Sequence, residues 1–448
     1  MDESQLSAWC ATGKMMETRD SHSPDGGGRN NAMPASGHPS RPAYRWVVLF
    51  VVWVAFLISY VDRVAWSTVA APVGHTLGIS VAMLGAFVTA FYVGYVIANV
   101  VGGILTDTIG GRGTLVLALV PLGIATFCFS FSHGLRTGIA IQVVMGLAAG
   151  ADYSAGVKVI TAWFDKDRGR ALGLYSTATS LAVVIANASV PSIATLYGWQ
   201  TAFQGLGAIT FSWAIVTLVL LRDSPLKASI SRISRAEIAA LIKNRNLVLL
   251  ALAGCGALWA TVGFGAWGNA LMTKQYGISP VTAGSISALF GVGAVIAKPL
   301  LGWLSDLLKG AAKFVSIVCL VCFALMLLVF GQCATVMQFY LVAPFLGAVA
   351  FGYTPVLIAQ VTQASGEKAS GAAAGLTNAI WQSGSAMSPI LVGQVYASSH
   401  SFSLALLTLA AGPACGALIL LFVTRNAAPA KGNSVERLNH AANAATSR

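Results

Sequence analysis

The sequence predicts an all-α membrane protein, with twelve transmembrane helices in two pseudo-symmetric six-helix halves. Three observations carry that expectation. Apolar residues make up 56% of the chain and charged residues only 9%, where a soluble domain has roughly 25% charged residues. The apolar residues gather in runs of about 20 or more, the length that crosses a bilayer at about 1.5 Å per residue. One short motif also recurs in both halves, as Gly103-Ile-Leu-Thr-Asp107 and as Gly302-Trp-Leu-Ser-Asp306. Parallel repeats of this kind are a transporter architecture that holds its substrate near the midplane, between the halves.

Taken in order, residues 1–45 are polar, rich in Gly, Ser and Pro, and lack an apolar core after a basic stretch. They read as a disordered tail and not a signal peptide, with Met33 a second possible start. Twelve apolar runs then begin near residues 46, 82, 114, 138, 170, 200, 246, 280, 313, 337, 371 and 401, each broken from the next by turn or charge signals. Residues 46–221 form the first half and 246–424 the second, divided by the polar loop 222–245 and followed by a tail, 425–448.

An even number of spans puts both termini on one side, and basic residues say which. The tails and central loop hold Lys14, Arg19, Arg29, Arg41, Arg45, Arg222, Lys227, Arg232, Arg235, Lys243, Arg245, Arg425, Lys431, Arg437 and Arg448. The short loops on that side add Arg112, Lys166, Arg168, Arg170, Lys309, Lys313 and Lys368, against Arg136 and Lys274 on the other. The positive-inside rule then makes both termini cytoplasmic, in a multi-pass protein of the plasma (inner) membrane. It also accounts for the net charge of +12 without nucleic acid as a partner. Six of the seven cysteines fall in apolar runs and read as small packing residues, Cys319-x-x-Cys322 included.

Charged residues within spans point to a site, because an intramembrane charge costs at least ~2.5 kcal/mol and is kept where it faces a cavity or a partner. Tyr60-Val61-Asp62-Arg63 sets two opposite charges inside the first span. Tyr60 and Arg63 share a helix face, while Asp62 points about 100° away, so the charges serve different neighbours. Lys298 lies about three turns from the end of its span, too deep to snorkel, and reads as a site cation. Lys158 is about one turn from Trp163 and reads as a snorkelling residue. Asp152 is the other carboxylate within a span. Gln360, Gln363, Asn378 and Gln382 are polar positions on the tenth and eleventh spans, suited to interhelical hydrogen bonds or to substrate. Trp381 and Tyr353 read as packing residues, and Gly146-Leu-Ala-Ala-Gly150 as a close helix contact.

These residues resemble the major facilitator superfamily over all twelve spans. Gly103, Leu105, Asp107, Gly110 and Arg112 match its cytoplasmic loop motif, which in the family latches the cytoplasmic side, and Gly302 with Asp306 repeats it. Thr108 and Gly111 stand where the family often has basic residues. Trp163-Phe164 and Arg168-Gly169-Arg170-Ala171 fit its fourth-to-fifth helix connection. Tyr60-x-Asp62-Arg63 and Tyr95 resemble the anion:cation symporter branch, which moves organic acids with protons or sodium. That resemblance implies that Arg63 holds a carboxylate, Tyr60 and Tyr95 line the site, and Asp62 takes part in proton coupling. The branch usually carries a Glu three residues after a Gly in the fourth helix. Here Gly146 leads to Ala149, and Asp152, one turn on, is positioned to substitute. Lys298 stands where monocarboxylate and oxalate/formate porters resembling this chain carry an Arg.

The expected function is proton-coupled symport of a small organic anion by alternating access. Substrate contacts come from Arg63, Tyr60, Tyr95, Lys298, Gln382 and Asn378, and proton coupling from Asp62 and Asp152. A monocarboxylate or oxalate/formate-type porter or exchanger is the nearest alternative. An intramembrane enzyme would need a nucleophile and base or a metal cluster at membrane depth. No H-E-x-x-H or G-x-S-x-G occurs, and His75, His133 and His400 fall in loops. A membrane sensor would typically need a sizeable soluble domain, which neither tail supplies. No cofactor and no metal are expected. The expected partners are the anion, a proton or sodium ion and the bilayer, with the chain a monomer.

Overall fold

The computed structural model describes residues 44–164, 167–222, 235–307, 311–365 and 370–424. Among them, all regular structure is helical. The first half consists of α1 (Tyr44–Thr76), α2 (Leu84–Phe129), α3 (Leu135–Ala149), α4 (Asp152–Trp163), α5 (Arg168–Tyr197) and α6 (Trp199–Leu220). A short helix, α7 (Arg235–Lys243), occupies part of the expected central loop. The second half follows as α8 (Arg245–Tyr276), α9 (Pro280–Leu307), α10 (Ala312–Gly331), α11 (Val336–Ser365), α12 (Ser370–Ser399) and α13 (Phe402–Leu421).

Spans and helices do not correspond one to one. α2 contains two spans, Val81–Asn99 (with the turn before it) and Thr108–Phe129, and is kinked near the start of the second at Gly110, whose φ of 82° suits a residue without Cβ. Conversely, α3 and α4 share one span, Leu135–Trp163, interrupted at Gly150–Ala151. Asp152 is the first residue of α4, three residues beyond Ala149 at the end of α3. Eleven segments among the described residues are long and apolar enough to cross a membrane. α12 is as long but more polar, because Asn378, Gln382, Ser383, Ser385 and Ser388 dilute its apolar residues.

Large apolar side chains face outward around the bundle, including Phe50, Ile97, Leu196, Phe345 and Leu418, as a lipid-exposed surface requires. Inside, the halves meet through α5 on α9, α12 on α2 and α1 on α8. Counted as spans, α5 on α9 is five on eight and α12 on α2 is eleven on two. Adding six to each member of one pair generates the other, so the interface obeys the pseudo-two-fold relation of the halves. The start of α8 and the end of α13 lie together, since Asn246 Nδ2 donates to the Thr424 carbonyl at 3.0 Å. Tyr44 at the start of α1 likewise bonds the carbonyl of Leu220 at the end of α6. These ends define the terminal side of the bundle, and the opposite face is its far side.

Candidate functional site

α1 and the first arm of α2 build the site. Tyr92 and Tyr95 are three residues apart on α2 and share a face, and the Arg63 guanidinium lies against that face. Its centre is 4.1 Å from the Tyr95 ring centroid, 4.7 Å from Tyr60, 5.4 Å from Phe91 and 5.9 Å from Tyr92. Each such contact is worth about 0.5–1 kcal/mol when exposed and about 2 or more when desolvated. The aromatic box thus holds the cation while leaving two of its nitrogens without a partner. Arg63 Nε and Nη2 are buried and have no hydrogen-bond partner among the described residues. A planar fork in that state is suited to a carboxylate in bidentate geometry.

The two carboxylates take different neighbours. Asp62, 1% exposed, accepts from Thr210 Oγ1 of α6 at 2.7 Å, so it points away from the aromatic box. Asp152, also 1% exposed, accepts from Ser59 Oγ and from the Tyr153 backbone N–H. Ser59 is four residues before Arg63 on α1, hence on the same helix face. Asp152 and Arg63 are near enough to interact electrostatically, yet they form no ion pair within 4.0 Å.

A cleft with about 570 Å³ of non-atom space, open mouth included, lies between the halves. Tyr60, Arg63, Val64 and Ser67 of α1, Val88 and Tyr92 of α2, and Val183 and Asn187 of α5 line it from the first half. The second half contributes Thr261, Val262 and Phe264 of α8, Ser287 and Phe290 of α9, and Phe351 of α11. The structure therefore brings Tyr60 and Arg63 into the cleft, with Tyr95 packed directly under the guanidinium.

Lys298 is placed differently from the expected second site cation. Its Nζ donates to Thr179 Oγ1 at 2.7 Å and to the Ser176 carbonyl at 3.3 Å, both on α5. It joins the halves outside the cleft lining, 5.1 Å from the ring centroid of Phe351, which does line it. Gln382 and Asn378 are also outside the lining, and Gln382 Oε1 accepts from Ser385 Oγ on its own helix. Lys158, half-buried, donates its Nζ to the Thr106 carbonyl of α2 at 3.0 Å. Gln360 makes the interhelical bond, to Ser316 at 2.7 Å, while Trp381 and Tyr353 are buried packing residues.

In the repeated motif, Gly110 forms the kink of α2, Arg112 donates to the Leu218 carbonyl of α6, and Gly302 is half-buried beside Pro355. Gly103 and the side chains of Asp107 and Asp306 lie outside the described residues. Sequence reasoning missed a polar cluster at the cleft. Asn269 Nδ2 of α8 donates to Asn187 Oδ1 of α5 at 2.8 Å, and Ser287 Oγ of α9 donates to Asn269 Oδ1 at 2.6 Å. Its signal was available, since Asn187 and Asn269 are amides inside apolar spans.

The family described as Major Facilitator Superfamily matches residues 51–270 and 264–446. A protein of Escherichia coli (strain K12) named "Probable L-galactonate transporter" is 25% identical over 84% of this chain and 88% of its own length. A "Membrane sensor protein UhpC" of Salmonella typhimurium is 23% identical over 59% of this chain and 64% of its own. Among solved structures, an inward-facing, occupied bacterial homologue of the human lysosomal transporter Spinster superposes with a TM-score of 0.72. It is 13% identical and covers 85% of this chain and 97% of that one, a likeness that establishes the fold alone.

Proposed function

The chain belongs to the major facilitator superfamily, and we propose that within this family of membrane transport proteins it carries a small organic anion by alternating access, driven by proton symport. One observation supports this reading above the rest: a guanidinium with two unpaired donors lies in a cleft between two halves related by a pseudo-two-fold axis. Arg63 receives the carboxylate and the aromatic box fixes the plane of its fork. Asp152, one α1 turn away through Ser59, is the proton carrier. When substrate leaves, the freed guanidinium favours the ionised carboxylate beside it and so promotes proton release. The similarity to a galactonate transporter supports the class of cargo.

Similarity to a membrane sensor gives a second reading, in which the same site binds an anion without carrying it. Uptake into proteoliposomes separates the two. With an inward-directed proton gradient, a labelled carboxylate that binds the purified protein should accumulate, and Arg63→Ala should abolish accumulation. Binding with no uptake in either direction would favour the sensor.

A further inference from the structure

We propose that the cleft takes a monocarboxylate with an apolar body in preference to a polyhydroxylated sugar acid. This inference rests on the organic-anion reading and deepens it. The α1 wall leaves polar atoms free: Arg63 Nε and Nη2 are unpaired, and the hydroxyls of Tyr60 and Ser67, which line the same cleft, make no hydrogen bond among the described residues. The wall facing α1 and α2, made by α5 together with α8, α9 and α11, is built mainly from Val183, Val262, Phe264, Phe290 and Phe351.

Polar atoms on that wall are already engaged. Asn187 Nδ2 donates to the Val183 carbonyl at 2.9 Å and its Oδ1 accepts from Asn269. Ser287 Oγ donates to Asn269, and Thr261 Oγ1 donates to the Ala350 carbonyl at 2.8 Å. A sugar acid anchored at Arg63 would press its hydroxyls mostly against carbon, and against Ser287 and Thr261 hydroxyls whose protons are already committed to the protein. Each hydroxyl left unpaired loses what water gave it, whereas an apolar body gains from the same wall. Among the described residues Arg63 is the one charged side chain lining the cleft. Lys298 is held by α5, so a second carboxylate would find no cation.

The test is a thermal-shift titration of the purified full-length protein with phenylacetate, 4-methylpentanoate, D-galactonate and succinate. The two apolar acids should bind at least roughly tenfold tighter than the other two, about 1.4 kcal/mol, and Arg63→Gln should remove their shift. Tighter, Arg63-dependent binding of galactonate or succinate would overturn the inference and leave the organic-anion reading standing. A phenylacetate shift that survives Arg63→Gln, or that neutral phenylacetamide matches, would overturn it as well, because the wall would then be holding any hydrophobe. No shift with any acid, in protein that melts cooperatively, would overturn both readings. Should Arg63→Gln fail to fold, Val262→Asn supplies an independent measurement by adding a donor and an acceptor to the apolar wall. It should narrow the preference several-fold, and an unchanged preference would count against the inference.

Discussion

Arg63 is supported by rings and not by carboxylates, and this decides what its replacement does. Lysine keeps the charge and much of the cation–π attraction but loses the planar fork. Arg63→Lys should therefore reach the membrane at normal levels yet bind the carboxylate ten- to a hundredfold more weakly, about 1.4–3 kcal/mol, the scale of one charge-assisted hydrogen bond. Titration calorimetry on the purified variant measures this directly, and unchanged affinity would show that the fork makes no bidentate contact. The two buried acids should separate as well. Asp152→Asn is expected to lose gradient-driven accumulation while preserving counterflow, because exchange needs no net proton release. Asp62→Asn should preserve both, since the amide oxygen can still accept from Thr210 on the face of α1 away from the aromatic box. Comparing pH-gradient uptake with counterflow in the two variants tests the assignment. Charges in an apolar span were legible at this scale, as was their opposed direction. Asn187 and Asn269 were legible only as amides in apolar spans, because such a signal marks a polar position and not the partner it meets across the bundle.

Elements were the most readable level, since apolar runs and their interruptions are one-dimensional features. The twelve run starts lie close to the helix or span starts. What the sequence concealed is continuity: α2 passes through two spans with a kink at Gly110, and the fourth span breaks at Gly150–Ala151. Both depend on backbone geometry that composition does not encode. Close packing holds the site-bearing elements in place. A Cβ on Gly146 of α3 would meet the Phe91 carbonyl at 1.9 Å, one residue before Tyr92, so α2 can present its tyrosines only if α3 comes this near. Gly146→Ala should therefore destabilise the protein by about 1–3 kcal/mol, as overpacking does, and weaken anion binding in parallel. Gly173→Ala, with nothing within 4 Å of the added carbon, should be neutral or slightly stabilising. Paired melting curves, with and without ligand, check the contrast, and equal melting would mean that α2 and α3 are not packed at Gly146.

Across the whole molecule, contacts between the halves on the far side follow the pseudo-two-fold relation. There a Cβ on Gly85 of α2 would lie 2.1 Å from the Pro389 carbonyl of α12, and one on Gly284 of α9 would lie 2.4 Å from the Asn187 carbonyl of α5. Backbone packed this tightly is what small residues make possible, and the Asn187–Asn269–Ser287 chain lies against it. The proposed alternating access would require these contacts to part, so the amide bond between α5 and α8 should help set how often the far side opens. Interhelical hydrogen bonds of this kind contribute about 0.6 kcal/mol on average and at most about 1.7. Asn269→Ala removes the one that joins the halves, along with the Ser287 bond within the second half, and through the former should raise the open population roughly three- to twentyfold, at about 1.4 kcal/mol per factor of ten. The readout is alkylation of a cysteine placed at Ser67, which lines the cleft on α1, by an impermeant maleimide added from the far side. Its rate should rise by that factor in Asn269→Ala and fall when ligand binds the closed state. A rate unchanged by Asn269→Ala would mean that the amide chain does not bear on the gate, and that the glycine contacts alone hold the far side shut.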